Sequence, residues 1–363
     1  MSLRKSAGKK LLEIKEPGDP FGFHRVLDPH PTLPQSAQKL DASLPIYSNE
    51  ILISVECLNI DAASFLQMDK STSGDVSKIK DIILENCRMR GKQHNVVTGS
   101  GGMLIGTVLQ VGSRYQGNHV KPGDKVATLV SLTLTPLQLT RIQSINLTTH
   151  QVLAEGHAII FESGVLAKMP SDIDDKVALA AFDVCGAPLM IYRAVKPGNR
   201  VVVVGAGGKA GILSCFAARK KLQRRGKLIG IEPNPVAAKE LRELKVCDEV
   251  LEVDATNPSL MYQALLGKKG AKRADVIMNV ASVPGTEAGC LLTVSPKGTI
   301  LFFSMATSFT LVSLASEGIG CTAKLEFGNG FVPGHSAFIL KLIRDNANLL
   351  AVLNRRYGCL TKS

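Results

Sequence analysis

Gly205-Ala-Gly-Gly-Lys-Ala-Gly211 sets glycines at a spacing of three, directly after the apolar run Val201 to Val204. Such a turn lets backbone N–H groups approach a pyrophosphate, with the next helix N-terminus aimed at its charge. A second apolar run, Leu228 to Ile231, ends in Glu232. That acid lies about twenty residues beyond the turn, where a carboxylate can accept hydrogen bonds from an adenosine ribose. Gly205, Gly207, Gly208, Lys209, Gly211 and Glu232 are therefore candidate cofactor-binding residues; the bland alternative is an αβ turn that holds nothing. Lys209 fits either a pyrophosphate contact or a solvated surface. Asn279 and Ser304 join the set because each closes a predicted strand, and ligands of doubly wound sheets bind at strand carboxyl ends. A carboxylate at 232 would repel a 2′-phosphate, so the cofactor expected is NAD. Asp183 stands inside the apolar stretch 178–184, where an unpaired charge is costly. It either binds an ammonium or makes structural hydrogen bonds.

The elements around these residues change character along the chain. Over residues 22–165 the signals are short strands and turns: Glu50 to Glu56 alternates, Met103 to Val111 is apolar, and Val120-Lys-Pro-Gly-Asp124 launches a strand from Lys125. A helical insertion spans Val76 to Arg90. After Lys168-Met-Pro170 two helices are expected, over 174–184 and up to Val195. Strands and helices then alternate, with strands at 200–204, 228–232, 249–253, 275–280, 299–304 and 322–327. An amphipathic helix follows from His335 to Leu349. This is the order of an α/β chain with a doubly wound sheet behind a β-rich domain. The expected division is 1–168 (with 1–20 a tail), 169–333 for the dinucleotide-binding domain, and 334–363 for a C-terminal helix and tail.

The chain has 363 residues, 45% of them hydrophobic, enough for two cores of useful size. The formal charge of +12 raises nucleic-acid binding as a class. Its excess sits in both tails and in Arg219 to Lys227, where a helix should end and cations are favourable. Trp is absent and no aromatics interleave the cations, so no nucleic-acid partner is expected. No apolar run suits a membrane span, and none is expected. The eight cysteines are scattered singly, and the N-terminus lacks a signal-peptide layout; both fit a reducing cytoplasm.

Gly106 to Gly112, Val120-Lys-Pro-Gly-Asp-Lys-Val126, Val195-Lys-Pro-Gly198 and the glycine turn, in this order, resemble the medium-chain dehydrogenase/reductase superfamily. That resemblance implies a GroES-like β-rich barrel domain followed by a Rossmann domain, and a homodimer. Thr98 to Gly106, Ala127 to Pro136, Phe161-Glu-Ser-Gly164, Phe302 to Phe309 and Gly328-Asn-Gly330 are similar to one family within it, the L-erythro-3,5-diaminohexanoate dehydrogenases of lysine fermentation. The implied activity is NAD-dependent oxidative deamination of a small diamino acid at C3, giving 5-amino-3-oxohexanoate, ammonia and NADH. Where zinc alcohol dehydrogenases carry Gly-His-Glu, this chain has Gly101-Gly102-Met103, so no metal is expected.

Taking hydride from a carbon that bears an amine requires the neutral amine, hence a proton acceptor, and then an activated water. Three carboxylates are candidate catalytic residues. Asp61 stands where related enzymes place a cleft-facing ligand, though a helix-cap role explains it equally well. Asp183 could hold a substrate ammonium. Glu162 belongs to the matching Phe-Glu-Ser-Gly segment, with a structural role as its alternative. Thr98 and Ser100 could line a tight pocket or simply form a turn. Two other functions compete: a zinc-free quinone or enoyl reductase using NADPH, and a non-catalytic dinucleotide-binding protein. NADH formation from the diamino acid would separate them.

Overall fold

Val201 to Val204 are all buried, as a strand covered on both faces must be. The computed structural model describes residues 13–358 apart from Pro31, Asn118 and Asn329. The basic N-terminal residues, most of the expected 1–20 tail, and Lys362 lie outside that set. The chain divides into two units, Met1–Asp175 and Lys176–Ser363.

The first unit is built on an antiparallel sheet. Two short parallel strands, β1 (Glu13–Ile14) and β2 (Ile46–Tyr47), precede it. Its members are β3 (Ile51–Asn59), β4 (Met103–Val111), β5 (Lys125–Thr128), β6 (Leu137–Asn146), β7 (Gln151–Ile160) and β8 (Leu166–Lys168). They lie in the order β6-β7-β3-β4-β5-β8. Between β3 and β4 the chain forms α1 (Ala62–Thr72) and α2 (Val76–Arg90). Ile79, Ile83 and Cys87, one face of α2 at helical spacing, are buried in one core with Phe65 and Met68 of α1 and with Ile51, Ile53 and Val55 of β3. Each such apolar side chain contributes about 1.5–3 kcal/mol by leaving water.

The second unit opens with α3 (Asp175–Phe182, its first residue at the boundary) and α4 (Gly186–Ala194). Strands and helices then alternate: β9 (Arg200–Val204), α5 (Lys209–Leu222), β10 (Lys227–Ile231), α6 (Pro235–Glu243), β11 (Glu249–Leu251) and α7 (Pro258–Leu266). The second half is β12 (Ala274–Asn279), α8 (Glu287–Thr293), β13 (Val294–Phe302), α9 (Phe309–Ile319) and β14 (Lys324–Phe327). All six strands are parallel, in the order β11-β10-β9-β12-β13-β14. The order reverses beside β9, which is where doubly wound sheets bind dinucleotides.

The helix expected over 335–349 is two helices, α10 (His335–Arg344) and α11 (Ala347–Tyr357). Asn346 breaks the run, its side-chain amide donating back to the Leu342 carbonyl at 2.7 Å. Among the described residues no single helix is long and apolar enough to cross a membrane. Half of the basic run from Arg219 to Lys227 is ion-paired: Arg219 with Asp248, Lys220 with Asp345 and Lys227 with Glu249, each at 2.6 Å.

Candidate functional site

The glycine turn joins β9 to α5. Gly205 has φ of 78°, a left-handed conformation that favours glycine, and its N–H donates to the Ile231 carbonyl at 3.0 Å. Gly211 packs against the turn so closely that a Cβ there would stand 2.1 Å from the Gly205 carbonyl oxygen. Gly208 precedes α5 without a side-chain cap, which leaves first-turn amides of a 14-residue helix for an anion. Glu232 is buried, 8% exposed, directly after β10. Its carboxylate accepts from the N–H groups of Gly207 and Asn234, both at 3.0 Å. A Cβ at Gly207 would lie 2.8 Å from that carboxylate, so only glycine lets turn and acid meet this closely. A carboxylate offers about four lone-pair sites, so two backbone bonds leave acceptor capacity for ribose hydroxyls.

Lys209 is only partly exposed and is committed to a carboxylate partner. Its ammonium lies 2.6 Å from the Asp183 carboxylate, both side chains mostly buried, and near the Tyr357 ring. Asp183 therefore does bind an ammonium, but one supplied by the turn itself. Arg356 of α11 was not singled out by sequence reasoning. Its guanidinium donates to the Gly207 carbonyl at 3.0 Å and pairs with Glu240. The signal for it is weak, since Gly207 and Arg356 are 149 residues apart.

Asn279 is fully buried, and its polar atoms are occupied: Nδ2 donates to Thr286 Oγ1 at 2.8 Å, and Oδ1 accepts from Ala281 N at 3.2 Å. It shapes the loop after β12, which lies against Gly205; a Cβ there would be 2.9 Å from Ala281. Asn279 thus supports the turn, while one amide N–H and one carbonyl lone pair remain beyond these two bonds. Ser304 follows β13 and accepts from Ala306 N at 3.1 Å, a turn-forming role.

In the first unit, Asp61 caps α1: Oδ1 accepts from Ser64 N at 2.9 Å, as an N-cap carboxylate should. Its other oxygen, Oδ2, is buried with no hydrogen-bond partner. Ser64 Oγ meets Thr98 Oγ1 at 2.5 Å, and the Thr98 hydroxyl also accepts from Ser100 N at 3.4 Å. Asn95 secures this loop through Val97 N, Gln67 and the Ser64 carbonyl. Asp61, Thr98 and Ser100 are thus linked through Ser64, which sequence reasoning missed. Gly102 closes the loop beside them with φ of 86°, and a Cβ there would stand 2.0 Å from the Asn59 carbonyl oxygen. A histidine cannot be carried at that position without displacing the end of β3.

Glu162 is not part of this cluster. Ile51 pairs with Ile160 and Asn59 with Gln151, so Asp61 leaves one end of β3 while Glu162 follows β7 at the other. The nine residues of β3 make eight steps between those ends, about 26 Å at roughly 3.3 Å per residue. Glu162 instead accepts from Asn49 Nδ2 at 3.0 Å, and Asn49 also bonds Gly18 through both backbone groups. Of the two roles expected for Glu162, catalytic or structural, its contacts match the structural one: it anchors the N-terminal segment, away from Asp61. Among the described residues no group of three His, Cys, Asp or Glu side chains is placed to hold a metal ion.

The N-terminal domain model of L-erythro-3,5-diaminohexanoate dehydrogenase matches residues 24–170. An enzyme of that name from Acetoanaerobium sticklandii is 41% identical over 341 residues, covering 94% of this chain and 99% of the relative. Its counterpart from Fusobacterium nucleatum subsp. nucleatum is 42% identical over the same shares. The chain belongs to the L-erythro-3,5-diaminohexanoate dehydrogenase family. Among solved structures, a quinone oxidoreductase of Pseudomonas syringae pv. tomato DC3000 matches with a TM-score of 0.54 at 16% identity, over 86% of this chain and 83% of that one. The alcohol dehydrogenase TADH of Thermus sp. ATN1 matches at 0.53 and 17%, over 86% and 87%. These likenesses show the fold: a GroES-like unit plus a Rossmann unit. Within the diaminohexanoate dehydrogenase family model fall Asp61, Ser64, Thr98, Ser100 and Gly102, the residues joined or pressed together at the end of β3.

Proposed function

We propose that this protein is an oxidoreductase acting on a CH–NH2 group, converting L-erythro-3,5-diaminohexanoate to 5-amino-3-oxohexanoate with a nicotinamide coenzyme. The observation that carries this reading is the identity of 41% over 94% of the chain to an enzyme of that name. The reaction balances as substrate ammonium, oxidised coenzyme and water giving ketone, ammonium ion, reduced coenzyme and one proton. The coenzyme, when bound, would supply the hydride acceptor for C3. Every other task falls to side chains.

Asp61 is the proposed proton acceptor. Its Oδ2 is buried and lacks a hydrogen-bond donor, which leaves it as an acceptor for an N–H of the substrate. Oδ1 stays engaged with Ser64 N, so the carboxylate is held in one orientation while the second oxygen works. The Ser64 and Thr98 hydroxyls, hydrogen-bonded to each other beside the cap, would line the substrate pocket. Glu232 would meet the ribose hydroxyls, and the α5 amides the pyrophosphate. The carboxylate at 232 supports NAD over NADP.

Three further readings accompany this one. The reaction runs without zinc, because the backbone at Gly102 has no room for an imidazole; dialysis against a strong chelator should leave turnover intact, and loss restored by zinc would contradict this. The protein works in the cytoplasm on a small diamino acid, with neither nucleic acid nor membrane as partner; fractionation of the source cells locates it, and recovery with the membrane pellet would contradict this. It is a homodimer, supported by the open edge of β14 and the exposed apolar residues Phe309, Leu311 and Leu314 of α9 beside it. Light scattering at micromolar concentration should give twice the chain mass, and a monomer would reject the dimer.

The decisive assay offers 3,5-diaminohexanoate with NAD⁺, with NADP⁺ and simple alcohols as controls, and follows nicotinamide reduction. Reduction by alcohols alone would reject the proposed substrate.

A further inference from the structure

β9, β10 and β11 begin at Arg200, Lys227 and Glu249, at the end of the parallel sheet opposite the glycine turn. A cavity of about 470 Å³ opens there, walled by these strand starts, by Leu265 of α7 and by the loop from Lys268 to Lys272. Its charge is one-sided. Lys227 lies 2.6 Å from Glu249, so these two cancel. Among the described residues Arg200, Lys268, Lys269 and Lys272 have no carboxylate within ion-pairing distance. Their field is felt at Glu249: the Lys227 hydrogen bond chiefly, then the charges of Lys227, Lys268 and Arg200, hold its carboxyl below the ordinary range against the effect of burial.

We propose that this cavity is an anion site for a small molecule carrying two or three linked phosphates. Four like charges gathered around one concavity repel one another unless a counter-charge enters, and a concave wall focuses their field. Lysine serves phosphate as a mobile point charge, and arginine adds a planar fork of donors. The volume falls within the span of small-ligand sites, roughly 300–1,000 Å³. The remaining lining is Gly198, Gly226, Gly270, Ala264 and Ala271, with no aromatic side chain. Recognition is therefore through charge and hydrogen-bond donors, with no platform on which a base could stack. Ligands of doubly wound sheets bind at strand carboxyl ends, whereas this site is at the amino ends. About 15 Å of β9 separates it from the glycine turn, at roughly 3.3 Å per residue, so the coenzyme pyrophosphate does not account for it.

The test is calorimetric titration of the full-length protein with inorganic triphosphate at low ionic strength. Single-site, saturable binding is expected, weakening steeply as salt rises. The double variant Lys268→Glu/Lys269→Glu should bind at least ~10-fold more weakly, since each charge-assisted contact is worth more than a neutral one. Both lysines are exposed, so the variant should keep its melting temperature. A control variant with the same change in net charge, Lys239→Glu/Lys297→Glu, alters exposed positions outside the cavity and should bind like the parent. Absence of saturable binding would overturn the proposal and reduce the loop lysines to partners of the α7 C-terminal dipole. An equal loss in the control variant would overturn it too, by showing a general effect of net charge.

Discussion

Lys209 and Asp183 form an ion pair of 2.6 Å that ties the start of α5 to the segment between α3 and α4. Both side chains are less than a quarter exposed, so water screens the pair only in part. The glycine turn therefore carries no free cation of its own at 209, and its pull on a pyrophosphate rests on backbone amides. A double-mutant cycle of Lys209→Met and Asp183→Asn, read by thermal or denaturant unfolding, should give a coupling of about 1 kcal/mol, the upper range for pairs not fully buried. The Lys209→Met change alone should weaken coenzyme binding by less than ~10-fold, because the charge removed was already balanced. A coupling near zero with a large loss of affinity would restore Lys209 as a direct phosphate ligand.

Asp61 has an observed cap role and a proposed proton role, which one substitution can separate. Asparagine caps a helix as well as aspartate does, so Asp61→Asn should leave the melting temperature nearly unchanged. It cannot take a proton, and kcat should fall by roughly 10²–10⁴-fold. Coenzyme affinity should hold, because the glycine turn belongs to the other unit. Asp61→Ala should lose the cap as well, at a cost of about 1 kcal/mol. Near-parental turnover by the asparagine variant would remove Asp61 from the proton path.

Glu232 bridges Gly207 and Asn234, and its carboxylate is the proposed partner of the ribose hydroxyls. Glu232→Ala should weaken NAD⁺ binding by about 10-fold, the value of one or two charge-assisted hydrogen bonds. It should also narrow the preference over NADP⁺, since the repulsion toward a 2′-phosphate is gone. Steady-state kinetics with both coenzymes would show it. Equal or better parental turnover with NADP⁺ would contradict the coenzyme assignment.

Lys92 is a fully buried ammonium held, among the described residues, by backbone carbonyls, those of Pro34 at 2.8 Å and Gln35 at 3.1 Å. Burial pulls its pKa down to about 8, with Asp28 opposing and Arg90 assisting. Below pH 8 both folded and unfolded chains carry the proton, and the burial cost is constant. Between about 8 and the ordinary lysine value of 10.5 the unfolded chain holds a proton that the folded one has released, so rising pH favours the fold. The melting temperature of the parent minus that of Lys92→Met should therefore increase from pH 8 to pH 10. A flat or falling difference would show that Lys92 stays charged in place.

Much of this molecule was readable from residue order. The glycine turn, Glu232 and the strands at 200–204 and 228–232 announce themselves because a two-face-buried strand and a close backbone turn each demand a narrow set of residues. Val76 to Arg90 was readable for the same reason, with apolar positions at helical spacing. α1 was less so: its Ser, Thr and Asp residues blur the periodicity, and the Ala-Ala-Ser-Phe segment reads equally as a turn. Residue order also hid what depends on register. Glu162 lies in a segment typical of the family, yet only the pairing of Ile51 with Ile160 reveals that it sits at the far end of the sheet from Asp61. Asp183 and Lys209 were both singled out, but their partnership spans 26 residues and became visible only in three dimensions.

The most direct measurement incubates the purified protein with L-erythro-3,5-diaminohexanoate and NAD⁺ and quantifies reduced coenzyme and free ammonia together. Oxidative deamination at C3 requires one ammonia for each coenzyme reduced, with a keto acid as the third product. Equal amounts of both are predicted. Coenzyme reduction without ammonia release, or no reduction with this substrate at all, would contradict the proposed reaction.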